Sequence, residues 1–426
     1  MNREKIERTI EAVWHMESAK IIAKLARMLR DVGLAEEIAQ DSWLAALEQW
    51  THSGIPDNPG AWLMTTAKNR AIDRLRHKQL LERKSVIMSH DPDLHGSQYL
   101  APDSVSAADD VDDDLLRLIF IACHPVLSME GRVSLTLRLL GGLTPAEIAR
   151  AFLTSESAIQ QRIVRAKRTL SEARVPFEIP GAAERTQRLA SVPAVIYLIF
   201  NEGYSATAGE QWMRPALCEE ALRVGRILAE LAPAEPEVHG LVALMELQAS
   251  RTAARVSASG EPILLLKQNR ALWDQLLIRR GLAGLARAQD VEGPLGPYCL
   301  QAAIAACHAQ AGTAEETDWA RIVALYDALN ELQPSPVVAL NRAVAVSMAY
   351  GPAAALEIVD GLRGESRLRE YHLLPSVRGD LLERLGRFEE ARAEFSHAAS
   401  LAGNARERNL LLERMAACAP RAPRVN

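Results

Sequence analysis

The chain has 426 residues, of which 48% are hydrophobic and 24% charged, with a formal net charge of −5. This length exceeds what one hydrophobic core usually supports, so about two to four domains are expected. The N-terminus is charged and does not resemble a secretory signal, which argues against export. Charged residues or glycine interrupt every long apolar run, which argues against membrane insertion. We therefore expect a cytoplasmic protein with no membrane partner.

The predicted fold class is all-α. Ala, Leu, Glu and Arg dominate, only 5% of residues are aromatic, and no long stretch alternates between apolar and polar residues with a period of two. The first strong amphipathic helix lies near residues 35–50 and has a predicted buried stripe of Ala35, Ile38, Ala39, Ser42, Trp43, Ala46, Leu47 and Trp50. Its other face presents Glu36, Glu37, Gln40, Asp41, Leu44 and Glu48.

That second face places acidic side chains around an exposed leucine, as expected of a docking surface for a basic partner helix. The alternative is an ordinary charged, solvated helix face, because most exposed helices are charged.

The next helix starts near Gly60 and is basic. Leu63, Ala67, Ala71 and Leu75 recur every four residues and should pack inward. One flank carries Asn69, Asp73 and Arg76, and the other carries Arg70, Arg74 and Lys78. The candidate nucleic-acid contacts of this helix are Lys68, Asn69, Arg70, Arg74, Arg76 and Lys78. Cations there can pair with phosphates and Asn69 can contact a base edge, although a solvated basic face is an equally consistent interpretation.

Residues 85–114 contain eight Asp and no Lys or Arg, together with Pro92, Gly96 and Pro102. Such a segment cannot bury enough apolar surface to fold alone, so it is predicted to be a flexible linker. A solvated spacer is the favoured interpretation, and an acidic mimic of DNA that shields the basic helices is the alternative.

A helix-turn-helix is predicted from about Thr144 to Leu170. Thr144-Pro145-Ala146-Glu147 reads as a capping box, Ile148, Ala149 and Phe152 should face inward, and the turn lies at 153–155. Ile159, Ile163, Ala166 and Leu170 form the predicted buried stripe of the second helix. In a DNA-binding motif Gln160, Gln161 and Arg162 would reach base edges, whereas Arg165, Lys167 and Arg168 would contact phosphates. A purely structural helical hairpin is the alternative.

Residues 176–426 are predicted to form consecutive helices. Gly351 precedes Gly386 by 35 residues, close to the 34-residue period of tetratricopeptide repeats, and Ala302–Gly312 with Trp319–Leu332 make another helix pair. The last repeat is marked by Gly379, Gly386, Phe388, Ala391, Phe395 and Ala398. Such stacks expose a concave surface suited to a protein or peptide partner.

Four polar clusters interrupt this region: Asn201-Glu202-Gly203-Tyr204, Gln268-Asn269-Arg270, Thr317-Asp318-Trp319 and Asn341-Arg342. The favoured interpretation is that they cap helices and make hydrogen bonds between helices. The alternative is that they line a sensor groove. No nucleophile triad, phosphate loop or paired-carboxylate motif is recognisable, so we expect no enzymatic activity and no cofactor.

The five cysteines are scattered along the chain and odd in number, so they should be reduced and mostly buried. Cys299, Cys307 and His308 are interpreted as core residues rather than metal ligands.

The N-terminal motifs resemble a known family. Residues 35–43, 61–63 and 68–76 resemble region 2 of the extracytoplasmic-function RNA polymerase sigma factors, and residues 147–149 and 159–167 resemble region 4. The resemblance covers about residues 1–175 in the right order. It divides the chain into region 2 (1–84), an acidic linker (85–114), region 4 (115–175) and a tetratricopeptide-like extension (176–426), as found in one subgroup of the family.

The resemblance also implies roles. Glu36, Glu37, Gln40, Asp41, Leu44 and Glu48 would dock on RNA polymerase core, the helix from Lys68 to Lys78 would engage a melted −10 element, and the second helix of the helix-turn-helix would read the −35 element of promoter DNA. Gln160 and Gln161 depart from the usual family pattern, so no promoter sequence is implied.

The predicted function is therefore that of an alternative sigma factor regulated through its extension. An effector-responsive helix-turn-helix regulator that does not replace the sigma subunit is the alternative. A scaffold that uses the repeats alone would leave the basic helices unexplained.

Overall fold

The computed structural model describes residues 3–89, 109–152, 154–180, 189, 191–205, 213–257 and 261–418. The chain divides into two compact units, Met1–Val195 (unit 1) and Ile196–Asn426 (unit 2). The described residues form eighteen α-helices and four short 3-10 helices, with one isolated β-bridge and no β-strand. The all-α prediction is confirmed. None of the described helices is both long enough and apolar enough to cross a lipid bilayer.

Unit 1 contains seven helices and the start of an eighth. They are α1 (Arg3–Leu29), α2 (Val32–Ser53), α3 (Pro59–Ser89), α4 (Asp109–Ala122), α5 (Met129–Leu139), α6 (Pro145–Ala151), α7 (Glu156–Glu172) and α8 (Ser191–Tyr204). The boundary between the two compact units falls within α8, between Val195 and Ile196. The predicted start of the extension at residue 176 stays a prediction.

Helix α1 is the centre of unit 1, and its existence was not predicted from the sequence. It packs against α2, α3, α4 and α5. Ile10, Ile21, Ile22 and Leu25 are almost completely buried along it, each with at most 1% of its surface exposed. The burial follows from the helix having neighbours on several sides, which gives its apolar residues more than one partner.

The predicted acidic linker is shorter in the structure than residues 85–114. Helix α3 continues to Ser89 and α4 begins at Asp109, while residues 90–108 lie outside the described part of the chain. Aspartates at the start of α4 are favourable there because a helix N-terminus carries partial positive charge.

Asp114, the last residue of that predicted linker, belongs to the core of unit 1. It is 1% exposed, accepts a 2.7 Å hydrogen bond from Arg117 and has Arg27 at 3.4 Å and Lys24 at 3.9 Å. Burial raises the pKa of Asp114, although the three cations act in the opposite direction. The acidic end of the linker is therefore anchored by α1 and α4.

Unit 2 contains the end of α8 and ten further helices, which pack mainly against their neighbours in the chain. They are α9 (Pro215–Leu231), α10 (Pro236–Ala249), α11 (Gln275–Asp290), α12 (Pro297–Gln310), α13 (Trp319–Leu332), α14 (Pro336–Ala349), α15 (Pro352–Leu362), α16 (Leu373–Arg384), α17 (Phe388–Leu401) and α18 (Ala405–Ala417). Helices α12 and α13 match the helix pair predicted for residues 302–332.

Glycines with positive φ make two corresponding turns in unit 2. Gly351 (φ 98°) joins α14 to α15, and Gly386 (φ 75°) joins α16 to α17. Gly379 lets α17 approach closely, since a Cβ there would lie 2.8 Å from the ring of Phe395. Of the residues that mark the last predicted repeat, Phe388 is 52% exposed, whereas Ala391, Phe395 and Ala398 are fully buried. The membership of the whole region in the tetratricopeptide class stays a prediction.

Most residues of the four polar clusters serve as caps or inter-helix ties. Asn269 and Asp318 cap following helices, and Arg342 pairs with Asp327 at 2.5 Å. Arg270 donates to the backbone oxygens of residues 308 and 311 and to Thr317. The capping interpretation therefore holds for these residues.

All five cysteines are free and buried, as predicted. Cys299, Cys307 and His308 are buried as well, and no group of three or more potential metal ligands occurs among the described residues.

His308 is expected to make the stability of the protein depend on pH. Burial, followed by the nearby Arg251 and Arg270, lowers the pKa of His308 from 6.5 to about 4. The folded state therefore disfavours the protonated ring, and stability present above pH 6.5 is lost as the pH falls toward 4. Between pH 7 and pH 5 this group should reduce the free energy of unfolding by about 2 kcal/mol.

The measurement is urea unfolding of the full chain at both pH values, compared with His308→Gln. The variant should lose less stability over this interval, and an identical loss in both proteins would contradict the assignment.

Candidate nucleic-acid interface

Helix α2 presents one buried and one exposed stripe. Asp31 caps its N-terminus by accepting a 3.0 Å hydrogen bond from the Leu34 amide. Six of the eight predicted inward residues are buried and two, Trp43 and Leu47, are partly buried. The exposed stripe, called here the acidic stripe, consists of Glu37, Asp41, Leu44 and Glu48. Their spacing of four, three and four places them on one face, with Leu44 50% exposed among three carboxylates. Gln40 is partly buried beside it.

Glu36 does not belong to this exposed face, so its predicted position there is wrong. It is 3% exposed, and Gln40 donates a hydrogen bond to it. Arg138 of α5 donates to one of its carboxylate oxygens at 2.5 Å, and Lys167 of α7 pairs with the other. A carboxylate next to these cations is turned toward α5 and α7 instead of toward solvent.

Helix α3 buries three of its four predicted inward residues and exposes most of its basic face. Leu63, Ala67 and Ala71 are completely buried, whereas Leu75 is only partly buried. Asn69, Arg70, Arg74 and Arg76 are exposed and Lys68 is partly buried, whereas the side chain of Lys78 lies outside the described residues. The ring of Trp62 packs edge-on against the ring of Trp50 in α2, with 5.3 Å between the two ring centres. This contact fixes the start of α3 against α2.

The acidic stripe and the basic face of α3 meet along one edge. Arg70 lies 3.7 Å from Asp41, and Arg74 lies 3.7 Å from Glu37. All four side chains are at least 43% exposed, and such pairs contribute little stability, about 0–1 kcal/mol. A phosphate or a charged partner could replace them at small cost.

Helices α6 and α7 form the predicted helix-turn-helix. The Thr144 amide donates to Glu147 at 2.7 Å and the Glu147 amide donates to the Thr144 hydroxyl at 3.2 Å, which confirms the capping box. Ser155 caps α7 by accepting from the Ala158 amide. The buried residues of α7 are the four predicted ones: Ile159, Ile163, Ala166 and Leu170. Of the predicted turn, residue 153 lies outside the described part.

The outer face of α7 is polar and basic. Gln160 donates to Glu156 at 3.0 Å and Arg168 pairs with Glu172 at 2.9 Å, so both are engaged within the helix. Gln161, Arg162 and Arg165 are also exposed. Lys167 differs, because it is partly buried and pairs with Glu36.

The structure adds one residue that sequence reasoning missed. Arg138 connects α5 to Glu36 of α2 and also donates to the backbone oxygen of Leu143, at 2.9 Å. Glu36 and Arg138 are 102 positions apart in the chain, and no local pattern marks them as partners. Another link within unit 1 joins the ring of His15 in α1 to the backbone oxygen of Gly141, which follows α5, at 3.2 Å.

Comparison with protein families identifies three segments. Residues 15–80 match Sigma-70 region 2, residues 117–170 match Sigma-70 region 4, and residues 188–289 match a family of unknown function, DUF6596. The first two contain the acidic stripe with the basic face of α3, and the helix-turn-helix.

Individual relatives agree with these family matches. The ECF RNA polymerase sigma factor SigK of Mycobacterium ulcerans is 33% identical over 35% of this chain and 78% of its own length. SigK of Mycobacterium tuberculosis is 30% identical over 36% of this chain and 78% of its own length. An uncharacterised protein of Rhizobium meliloti is 46% identical over 90% of this chain and 89% of its own. The chain belongs to the extracytoplasmic-function RNA polymerase sigma factors.

This sigma factor thus acts in promoter recognition, with RNA polymerase core and promoter DNA as its partners. It carries an extension whose first part, residues 188–289, is the segment that matches the family of unknown function.

Glu36 should be a main stabilising residue of unit 1 in this sigma factor. Glu36→Gln leaves Arg138 and Lys167 without their buried counter-charge, so we expect the free energy of unfolding to fall by roughly 3 kcal/mol. Glu37→Gln is the matched control, since Glu37 is exposed and has one ion pair at 3.7 Å, and should cost less than about 1 kcal/mol. Urea unfolding of both full-length variants measures the difference. Equal effects would show that the buried pairs contribute no more than a surface pair.

Proposed function

We propose that the acidic stripe of α2 is the docking surface of this sigma factor for RNA polymerase core. The observation that carries the proposal is the position of Leu44, a half-exposed leucine flanked along one helix face by Glu37, Asp41 and Glu48. An apolar anchor provides buried contact area, and the surrounding carboxylates select a basic partner and speed its association. Gln40, at the edge of the stripe, is in reach of the same partner.

We further propose that the basic face of α3 contacts the −10 element. Asn69 can hydrogen-bond to a base, while Arg70, Arg74 and Arg76 are exposed cations that pair with phosphates. Lys68 and Lys78 extend the same charge along the helix. Arg70 and Arg74 lie against the acidic stripe, so docking on the polymerase and binding of DNA would compete with these two weak ion pairs.

The outer face of α7 is proposed to read the −35 element. Gln160, Gln161 and Arg162 stand in the first turns of α7, the end that reaches base edges in a helix-turn-helix. Arg165 and Arg168 follow on the exposed side and suit phosphate contacts. Lys167 could join them only after its pair with Glu36 opens.

The extension is proposed to regulate this activity, through a partner or effector that binds to unit 2. Support comes from the helical hairpins of unit 2 and from a cavity lined by Tyr204, Arg251 and Arg255, all outside the proposed promoter-contacting faces. The protein as a whole is tested by transcription with purified core polymerase on a library of genomic fragments, in which a defined set of start sites should depend on this chain.

Asp41→Lys should weaken binding to core polymerase by roughly tenfold or more, because it places a cation in the acidic stripe. Asp73→Lys is the matched control. It makes the same charge change at an exposed residue of α3 that lies 3.7 Å from Arg76 of the same helix, and should leave core affinity unchanged. Affinity is measured by titrating core polymerase with labelled full-length chain. Unaltered affinity of Asp41→Lys would exclude α2 from the interface.

Arg165→Ala should weaken promoter binding by the reconstituted holoenzyme and make it less sensitive to salt. Loss of one phosphate contact is expected to flatten the slope of log affinity against log salt concentration by about one. Lys20→Ala, at an exposed cation of α1 that lies 3.4 Å from Glu17, serves as the control and should keep the parent slope. A parent-like slope for Arg165→Ala would show that this side chain does not contact DNA.

A further inference from the structure

Unit 2 contains a cavity of about 310 Å³ between segments that are distant in sequence. One side is formed by the end of α8 and the residues that follow α10, and the other by α16 and α18. The first side belongs to the segment matched by the family of unknown function, and the second to the C-terminal helical hairpins. The volume lies at the lower end of the range for small-molecule sites, roughly 300–1,000 Å³.

Two arginines of fixed orientation face this cavity. The guanidinium of Arg255, a residue only 6% exposed, lies 3.4 Å from the centre of the Tyr204 ring and donates to the Tyr204 backbone oxygen. Arg251 donates to the Tyr204 hydroxyl at 2.6 Å. Burial is the main reason that the pKa of Arg255 falls to about 10, and the group is still charged at neutral pH. Because Glu407 is the one carboxylate among the lining residues, the wall carries a net positive charge.

Two buried polar atoms of the lining residues have no hydrogen-bond partner. They are the side-chain oxygen of Gln268 and Nε2 of His372. His372 Nε2 lies 3.3 Å from a carboxylate oxygen of Glu407, but without the alignment of a hydrogen bond. A buried polar atom without a hydrogen bond lowers the stability of the folded chain, so a ligand that hydrogen-bonds to these atoms would recover free energy on binding.

The remainder of the lining is apolar. It is formed mainly by Ile263, Leu265, Leu373, Leu410 and Leu411. A mostly apolar wall with a few converging polar groups is the usual composition of a small-molecule site. Here the polar groups include two charged donors, so they suit an anionic head, while the leucines suit an apolar body.

We propose that this cavity binds a small carboxylate with an apolar body, and that this ligand is the effector of the extension. The carboxylate pairs with Arg251 and Arg255, and the apolar body contacts the leucines of α16 and α18. The regulatory consequence rests on the proposed function of the extension, whereas the binding itself does not. Because the two sides of the cavity come from the two halves of unit 2, an occupied site would hold those halves together.

The test is calorimetric titration of the full-length chain, without polymerase or DNA, with hexanoate, octanoate and 3-phenylpropanoate. Octanamide is the neutral counterpart of octanoate. We expect at least one carboxylate to bind, and octanoate to bind roughly tenfold or more tightly than octanamide. No binding by any carboxylate, or equal affinity for octanoate and octanamide, would overturn the proposal.

Two variants locate the site. Arg251→Gln should weaken binding of the carboxylate by roughly tenfold and leave octanamide unaffected. Ser376→Phe places a ring in the cavity from α16 and should abolish binding of both ligands, which keeps the test decisive if the arginine variant folds poorly. Arg287→Gln is the control, since Arg287 lines a different cavity of unit 2 and should bind as the parent does. Parent-like binding by Ser376→Phe would place the ligand elsewhere and refute the site.

Transcription separates this proposal from the proposed function. If the parent chain initiates transcription, the bound carboxylate should change the yield of transcript from the parent but not from Ser376→Phe. A parent chain that binds the carboxylate but directs no transcription would refute the proposed function and leave the binding site standing.

Discussion

The buried carboxylate of Glu36 holds the arrangement of unit 1 together. It connects α2 to Arg138 of α5 and Lys167 of α7, so the helix that carries the acidic stripe and the helix that carries the outer basic face are fixed by one charge cluster. A carboxylate out of water is tolerated only when cations and hydrogen-bond donors compensate it. The same cluster also engages Lys167, one of the residues proposed to contact promoter DNA.

Charge is distributed differently on the surface and in the interior of this sigma factor. The exposed pairs between α2 and α3 are at 3.7 Å and are weak, so they leave both faces available to stronger partners. The buried groups at Glu36, Asp114 and Arg255 are surrounded by fixed partners, and they determine which helices pack together. The first kind of pair suits recognition, and the second suits architecture.

The two units also differ in how their cores are built. In unit 1 the central α1 contacts four other helices, whereas in unit 2 the helices pack mainly on their neighbours in the chain. A stack of neighbouring pairs creates extended surfaces between its parts. The cavity beside Tyr204 lies where residues after α10 meet α16 and α18, and it is therefore a product of the stack rather than of any one hairpin.

Several predicted sites followed from local periodicity. The buried stripe of α7 and the capping box at Thr144 were predicted correctly, because side chains three or four positions apart share a face of any helix. Helix α1 was not predicted, and the acidic linker was predicted too long at both ends. At the C-terminal end of the linker the decisive partners are distant in sequence, since Asp114 pairs with Lys24 and Arg27 of α1.

The sequence by itself determined the all-α class, the order of the two family regions, and the faces of α2, α3 and α7 that are polar or apolar. Only the tertiary structure decided that Glu36 is buried, that Lys167 is its partner, and that Arg251, Gln268 and His372 surround one cavity. The physical reason is range. Helix periodicity and capping act over a few residues, whereas the pairing of buried charges depends on which helices meet in space, and no local pattern encodes that.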